Sequence, residues 1–143
     1  MRERSIDLID HAAQTTYRWI DELHAELPWD DRHKTLRLLR ATLHALRDWL
    51  QVSEAVQLGA QLPTLVRGLY YEGWKPQNSP VRQRSRDHFL IRVGTEMAPD
   101  LVFEIEEAVA AVFAFLTRNI STGEIADVLL NLPSDMRSLW KGK

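Results

Sequence analysis

The chain has 143 residues, of which 45% are hydrophobic and 27% charged, a balance typical of a single globular domain. It contains no cysteine, which excludes disulfides, thiolate metal sites and cysteine nucleophiles. Its formal net charge of -2 gives no electrostatic basis for binding nucleic acid over the whole surface.

No segment has the composition of a targeting sequence or a membrane span. Acidic residues interrupt the N-terminal segment 6–10, so no apolar signal-peptide core forms. No run approaches the roughly 18 consecutive apolar residues that a transmembrane helix needs. Together with the absence of cysteine, this predicts a cytoplasmic protein that does not enter membranes.

The first half begins with two predicted helices. Apolar residues recur at helical spacing from about Thr16 to Leu27, and Pro28 ends this helix because the residue before a proline is disfavoured in the α region. Asp30 is placed to cap the next helix by accepting its free N–H groups. Leucines at steps of three and four between Leu36 and Leu50 then predict one buried stripe.

Leu-Pro breaks divide the rest of each half. After a third helix, Leu62-Pro63 precedes a short predicted helix from Thr64 to Tyr71. That helix should end at Gly73, because glycine readily adopts the left-handed conformation. Leu132-Pro133 breaks the second half in the same way. No segment shows strict apolar alternation, so no strand is predicted.

The second half contains a helix that is apolar on nearly every side. It runs from Ile105 through Leu116, and this pattern predicts a central, buried helix. The next helix begins near Ser121, with Glu124 three residues later, which is the spacing of a capping box. In that motif the serine oxygen and the glutamate carboxylate each accept an N–H group at the helix start.

The two halves match when the chain is displaced by 70 positions. Residues 17–73 then pair with residues 87–143 without a gap, and nine of the 57 pairs are identical, Glu54 with Glu124 among them. The apolar positions and the Leu-Pro breaks also coincide, which a chance pairing of two helical stretches does not require. The match therefore predicts an internal repeat.

These patterns together predict an all-α fold. We expect a compact helical bundle or array of two similar units, each of three to four helices. The first repeat unit spans 17–73, the connecting loop 74–86 and the second repeat unit 87–143. Both units should share one core, so that residues 1–143 form a single compact domain. The residues expected at the centre of that core are Leu43, Leu46, Phe113 and Leu116.

Several short runs, spread over both halves, occur together in this chain. They are WDDR at 29–32, ALRD at 45–48, QLP at 61–63, GLYYEGW at 68–74, ISTGEI at 120–125 and LP at 132–133. In this combination the chain resembles the bacterial family filed as domain of unknown function 2267, from about Thr16 to Trp140. The resemblance implies a bacterial or archaeal, all-helical domain. It implies no activity and transfers no functional residue.

The histidines, acids and serines form no recognisable catalytic or metal-binding pattern. None of the five histidines has the His-x-x-x-His spacing that places two imidazoles on one helix face. Asp21 and His24 stand three apart, but the di-iron bundles that use such pairs need further inward carboxylates. No serine sits in a Gly-x-Ser-x-Gly elbow, and no glycine-rich phosphate loop occurs. We therefore assign no catalytic or metal-binding residue and expect no cofactor; a non-enzymatic role is favoured, and enzymatic activity stays open as an alternative.

A basic stripe on the second predicted helix is the strongest candidate for a partner surface, although an ordinary solvated face has the same pattern. The basic stripe consists of Lys34, Arg37, Arg40, His44 and Arg47. Tyr71 and Trp74, the surplus aromatics, are two further aromatic residues that have no apolar counterpart in the second half. Because Arg, Tyr and Trp dominate binding energy at many interfaces, we predict a contact with a protein partner or a second copy of the chain. The residues assigned to this contact are Arg37, Arg40, His44, Arg47, Tyr71 and Trp74.

The connecting loop leaves other interpretations open. Residues 74–86 carry four basic groups and no acid, whereas residues 87–143 carry five basic and nine acidic groups. We expect Arg82, Arg84 and Arg86 to lie against the acidic second half. A non-enzymatic protein-binding or assembly module is the first hypothesis for function. The alternatives are a nucleic-acid-associated protein, which the net charge disfavours, and a small-ligand binder or enzyme with an apolar pocket between the units.

Overall fold

The computed structural model describes residues 6–100 and 104–141, which form an all-α fold. The first half contains α1 (Asp7–His24), α2 (Arg32–Trp49), α3 (Val52–Ala60) and α4 (Thr64–Tyr71). After a short 3-10 turn at Pro76–Asn78, the second half contains α5 (Arg86–Met97), α6 (Ile105–Asn119), α7 (Thr122–Asn131) and α8 (Ser134–Lys141). These described ranges contain no strand and no helix long and apolar enough to cross a membrane.

The helix ends follow the sequence signals with shifts at two places. α4 has the predicted bounds, and Gly73 beyond it has a φ of +68°, in the left-handed region. α1 begins at Asp7 rather than near Thr16, and its first turn carries two aspartates, which stabilise the positive end of the helix dipole. Asp31 caps α2 in place of Asp30, by accepting two backbone N–H groups.

α2, and not α6 as its apolar sequence predicted, is the central helix. Every residue from Ala41 to Arg47 is buried, and α2 contacts α1, α3, α4, α5 and α6. α6 has a solvent-exposed side, where Ala114 and Thr117 lie. The apolar pattern misidentified the central helix. α2 buries polar residues, which have partners on neighbouring helices, and a sequence with such residues predicts a half-exposed helix.

One continuous hydrophobic core joins the two halves. Leu43, Leu46, Phe113 and Leu116 are all fully buried in it, which confirms that prediction. Trp140 stacks on Phe113 with ring centroids 4.2 Å apart. α2 contacts α6 and α3 contacts α7, so corresponding helices of the two halves meet. That the halves superpose as one repeated unit stays a prediction.

Candidate functional site

The basic stripe on α2 faces other helices of the chain more than it faces solvent. His44 is 6% exposed and Arg47 is 3% exposed. The His44 ring lies between the Glu96 carboxylate, 2.8 Å from Nδ1, and the Leu69 carbonyl oxygen, 2.7 Å from Nε2. Because both oxygens are acceptors, both contacts are hydrogen bonds only when both ring nitrogens carry a proton. His44 thus links α2 to α5 and α4.

Arg47 binds the end of α4. Its Nη1 donates to the carbonyl oxygens of Tyr70 at 2.8 Å and Glu72 at 2.7 Å, and its Nε donates to the Asp48 carboxylate at 3.0 Å. The last carbonyls of a helix have no partner within the helix, so a cation placed there satisfies them. Arg47 is therefore a structural cap on α4 and is not accessible to a partner.

The two half-buried arginines of the stripe also bind within the chain. Arg37 pairs with Asp100 and donates to the Met97 carbonyl oxygen, 2.8 Å away, at the end of α5. Arg40 pairs with Glu72 at 2.6 Å. The stripe is thus a seam that holds α2 to α5 and to the end of α4. Groups of the same chain thus already bind the charges of Arg37, Arg40 and Arg47, and a partner contact through the stripe stays a prediction.

The Glu96 carboxylate lies at the centre of this seam. Burial by itself would raise its pKa, but hydrogen bonds from His44 and Arg92, with their positive charge, outweigh burial and lower the pKa to about 2. Arg92 lies 2.8 Å from Glu96 through Nη1 and 3.2 Å from Asp48 through Nη2. Charges of alternating sign therefore run along the contact between α2 and α5. In order they are His44, Glu96, Arg92, Asp48 and Arg47.

Tyr71 and Trp74, the surplus aromatics, pack on each other and on the first half. Their rings stack with centroids 5.5 Å apart, and the Tyr71 ring also lies 4.9 Å from that of Tyr70. Tyr71 covers Gly59 of α3 so closely that a Cβ there would lie 2.8 Å from the tyrosine Cζ. Trp74 Nε1 donates to the Ser79 hydroxyl at 2.9 Å. Both half-buried side chains therefore hold α4 and the following loop in place.

The loop arginines fulfil the prediction in part. Arg86 pairs with Glu106 of the second half, as expected. Arg84 instead donates to two backbone carbonyl oxygens, each 3.1 Å away, one from each half. Arg82 is exposed and forms no ion pair within residues 6–100 and 104–141. The prediction of contact with second-half acids is thus confirmed for Arg86 and wrong for Arg84.

Asp21 and His24, considered above as a metal-ligand pair, have other partners. Asp21 pairs with Arg32 at 2.6 Å. His24 Nδ1 lies 2.7 Å from the Thr35 hydroxyl, which joins α1 to α2. Each side chain thus has a structural contact that stabilises the start of α2 against α1.

The capping box predicted at α7 forms only by half. The Ser121 hydroxyl accepts the Glu124 N–H at 3.2 Å, as expected. The Ser121 N–H, however, donates to the side-chain oxygen of Gln61 in the first half, 3.1 Å away. Gln61 thus takes the place that the glutamate carboxylate has in a capping box, and the Glu124 side chain points elsewhere.

The Glu124 carboxylate instead meets Glu54 across the contact between α3 and α7. One oxygen each of Glu54, Glu124 and Asp127 lies within 4.8 Å of the other two. Burial, followed by the hydrogen bond and the charge of Glu54, raises the pKa of Glu124 to about 8. Sequence reasoning missed this group, although the identity of Glu54 and Glu124 in the 70-residue match was an available signal.

An open groove of about 480 Å³ lies between α1 and the junction of α3 and α4. It is lined by one face of α1, by the segment 60–64, and by Arg67 and Asn119. Its ionisable lining residues are His11, Arg18 and Arg67, and no described acidic side chain lines it. The sequence did not reveal the groove because its walls come from separate segments. It also differs from the predicted apolar pocket between the units, since all its lining except Asn119 belongs to the first half.

Comparison with known proteins agrees with the resemblance seen in the sequence. A family model described as uncharacterized conserved protein (DUF2267) matches residues 16–139, which include both halves. The first turns of α1, with Leu8 and His11, lie outside the matched range. No curated protein matches the chain. The match covers most of the sequence, and the chain belongs to the DUF2267 family of uncharacterized conserved proteins.

Proposed function

We propose that the chain is a non-enzymatic binding module whose groove between α1 and α4 takes an acidic, partly apolar segment of a partner protein. The observation that carries the proposal is the sign of the groove's charge. Arg18, Arg67 and His11 line it without any described carboxylate, in a chain whose net charge is -2. A cationic concave surface attracts acidic ligands and orients them during encounter.

The arginines of the groove retain hydrogen-bond donors for a ligand. Arg18 is exposed and forms no ion pair within the described part of the chain. Arg67 uses Nε and Nη2 on three carbonyl oxygens at the end of α3, the shortest contact being 2.7 Å to Leu62. Its Nη1 makes no hydrogen bond to a described residue. A carboxylate can therefore bind Arg18 and the Nη1 of Arg67 without displacing a partner among the described residues.

The start of α4 adds backbone donors at the same place. Pro63 and Thr64 line the groove, and Pro63, the residue before α4, offers no side-chain cap. The N–H groups of Thr64, Leu65 and Val66 make no hydrogen bond to any described group. Unpaired N–H groups at a helix start favour anionic ligands, which supports an acidic occupant.

Apolar side chains at the groove indicate that the occupant is a peptide and not a small anion. Leu8 lines the groove and is 76% exposed, and Leu62 and Pro63 line its other wall. The lining face of α1 from Leu8 to Trp19 extends for about 16 Å at 1.5 Å per residue. This length fits about three turns of a helix or about five extended residues. An exposed leucine beside cations suits an amphipathic acidic segment.

Nuclear magnetic resonance can test the proposal with a defined probe. The ¹⁵N-labelled chain is titrated with a short helical peptide of Glu and Leu, with the same peptide carrying Lys for Glu, and with inorganic phosphate. We expect the acidic peptide to shift the amide signals of residues 8–19 and 60–67. Arg18→Glu should weaken its Kd by about tenfold or more, whereas Arg82→Glu, an exposed arginine away from the groove, should not.

The other outcomes would contradict the proposal. Shifts of equal size with phosphate alone would indicate a small-anion site. Concentration-dependent shifts of the groove amides without any peptide would indicate that a second copy of the chain occupies it. Absence of shifts, or shifts that Arg18→Glu leaves unchanged, would rule out this groove as the docking site.

We also propose that the protein is located in the cytoplasm. A chain without cysteine suits a reducing compartment, where disulfides do not contribute to stability. Fractionation of the native cell, with detection of the chain by antibody, tests this location. Recovery with a membrane or extracellular fraction would contradict it.

A further inference from the structure

Two buried glutamates face each other where α3 meets α7. Glu54 lies in the first turn of α3 and Glu124 in the first turn of α7. Asp127 follows Glu124 by three residues and therefore lies one turn along the same helix face. One oxygen from each of the three carboxylates lies within 4.8 Å of the others, which is a spacing that a single cation can bridge.

The two glutamates lack the cation with which buried carboxylates normally pair. Glu54 is 7% exposed and Glu124 is 8% exposed, so each is more than nine-tenths buried. One oxygen of each, Oε2, is buried without any hydrogen-bond partner. No Arg, Lys or His of residues 6–100 and 104–141 forms an ion pair with either. The two side chains contact each other, but no cation of the described residues neutralises them, and burying carboxylates without a cation is costly.

We propose that Glu54, Glu124 and Asp127 bind a hard divalent cation of the Mg²⁺, Mn²⁺ and Ca²⁺ class between α3 and α7. The orphaned buried oxygens point to a ligand independently of the clustering of acids. The three ligands are all carboxylates, and an oxygen-only set suits these cations and not Zn²⁺ or Cu²⁺, which favour nitrogen or sulfur.

The accessibility of the three carboxylates fits this cation class. Asp127 is exposed, so that side of the group is open to water. Mg²⁺ and Mn²⁺ commonly retain several waters beside a few carboxylates, and these waters would complete the coordination from the open side. A cation there would neutralise the repulsion of the two buried glutamates. It would also join the two halves, because Glu54 belongs to the first and Glu124 to the second.

Mn²⁺ is the probe of choice because its electron paramagnetic resonance signal weakens on binding. The full chain is treated with chelator, freed of it, and titrated with Mn²⁺, while thermal unfolding is followed with Mg²⁺, Mn²⁺ or Ca²⁺. We expect one Mn²⁺ bound per chain and a Tm that rises with cation concentration, since a ligand of the folded state stabilises it by mass action. The binding does not depend on the groove, so its failure leaves the proposed function untouched.

Variants separate a specific site from general charge screening. Glu124→Gln should weaken the Kd for Mn²⁺ by at least about tenfold, a loss of about 1.4 kcal/mol. Asp127→Asn, at an exposed position where folding is not at risk, should weaken it as well. Glu26→Gln is the control. It changes an exposed acid of the first half and should leave the Kd for Mn²⁺ unchanged.

Two results would overturn the proposal. One is the absence of Mn²⁺ binding by the wild-type chain. The other is a cation-dependent rise in Tm that is equal in wild type, Glu124→Gln and Asp127→Asn, which would identify screening of surface charge. If the first result is accompanied by a higher Tm of Glu54→Gln than of wild type, the pair is purely structural.

Discussion

His44 in α2 and Glu96 in α5 are joined by a 2.8 Å hydrogen bond between Nδ1 and Oε2 that crosses from one half of the chain to the other. The second ring nitrogen of His44 lies 2.7 Å from the Leu69 carbonyl oxygen of α4. One side chain thus fixes three helices around the centre of the fold. A histidine that reads as part of a solvated basic face is a structural element of the interior.

The low pKa of Glu96 predicts a specific loss of stability in acid. The pKa is about 2 in the folded chain, against an ordinary value of 4.5, so the folded state holds the carboxylate ionised more strongly than the unfolded state does. The stabilisation is fully present above about pH 4.5 and is lost as the pH falls towards 2. Glu96→Gln should reduce this acid-side slope, which for one group is at most about 1.4 kcal/mol per pH unit.

Urea unfolding at a series of pH values measures this slope. Glu26→Gln, which changes an exposed acid without an ion pair among the described residues, is the control and should retain the wild-type slope. Equal slopes for Glu96→Gln and wild type would show that the carboxylate does not contribute in this way.

Replacing arginines of the seam should lower stability in proportion to their burial. Arg47→Gln should cost about 3–5 kcal/mol, because it leaves the carbonyl oxygens of Tyr70 and Glu72 and the Asp48 carboxylate without their buried cation. Arg40→Gln removes a half-exposed pair and should cost about 1 kcal/mol or less. Denaturant unfolding of both variants checks the difference. Equal, small effects would mean that the stripe is a solvated face after all.

Two helical glycines should respond to alanine with opposite signs. Gly68 in α4 has nothing within 4 Å of an added Cβ, so Gly68→Ala should stabilise by about 0.5–1 kcal/mol through helix propensity. Gly59 in α3 is covered by Tyr71, whose Cζ would lie 2.8 Å from the new Cβ. Gly59→Ala should therefore destabilise, since Tyr71 must move. Thermal unfolding decides the signs, and stabilisation by both would show that Tyr71 yields without cost.

The shared core predicts matched losses from the two halves. Leu46→Ala in α2 and Leu116→Ala in α6 remove fully buried side chains and should each cost about 2–5 kcal/mol. Leu130→Ala, at a leucine that is 74% exposed, should stay within about 0.5 kcal/mol. A single cooperative transition is expected for all variants by both fluorescence and circular dichroism. Separate transitions for the two halves would contradict one shared core.

Local and periodic features of the fold could be read from the sequence alone. The bounds of α4, its stop at Gly73 and the burial of Leu43 and Phe113 all follow from the sequence. Turn chemistry and the 3.6-residue helical period act within a few residues, so the necessary information is contiguous. The all-α class follows from the same patterns.

Only the tertiary structure decided which polar side chains are interior and which surfaces are open. His44 finds its acceptors 25 and 52 residues away, and Gln61 replaces a glutamate cap from 60 residues away. A buried cation and a solvated one have the same sequence pattern, because burial depends on partners that the fold brings together. The meeting of Glu54 with Glu124, and the groove beside Arg18, arise in the same way from segments that are distant along the chain.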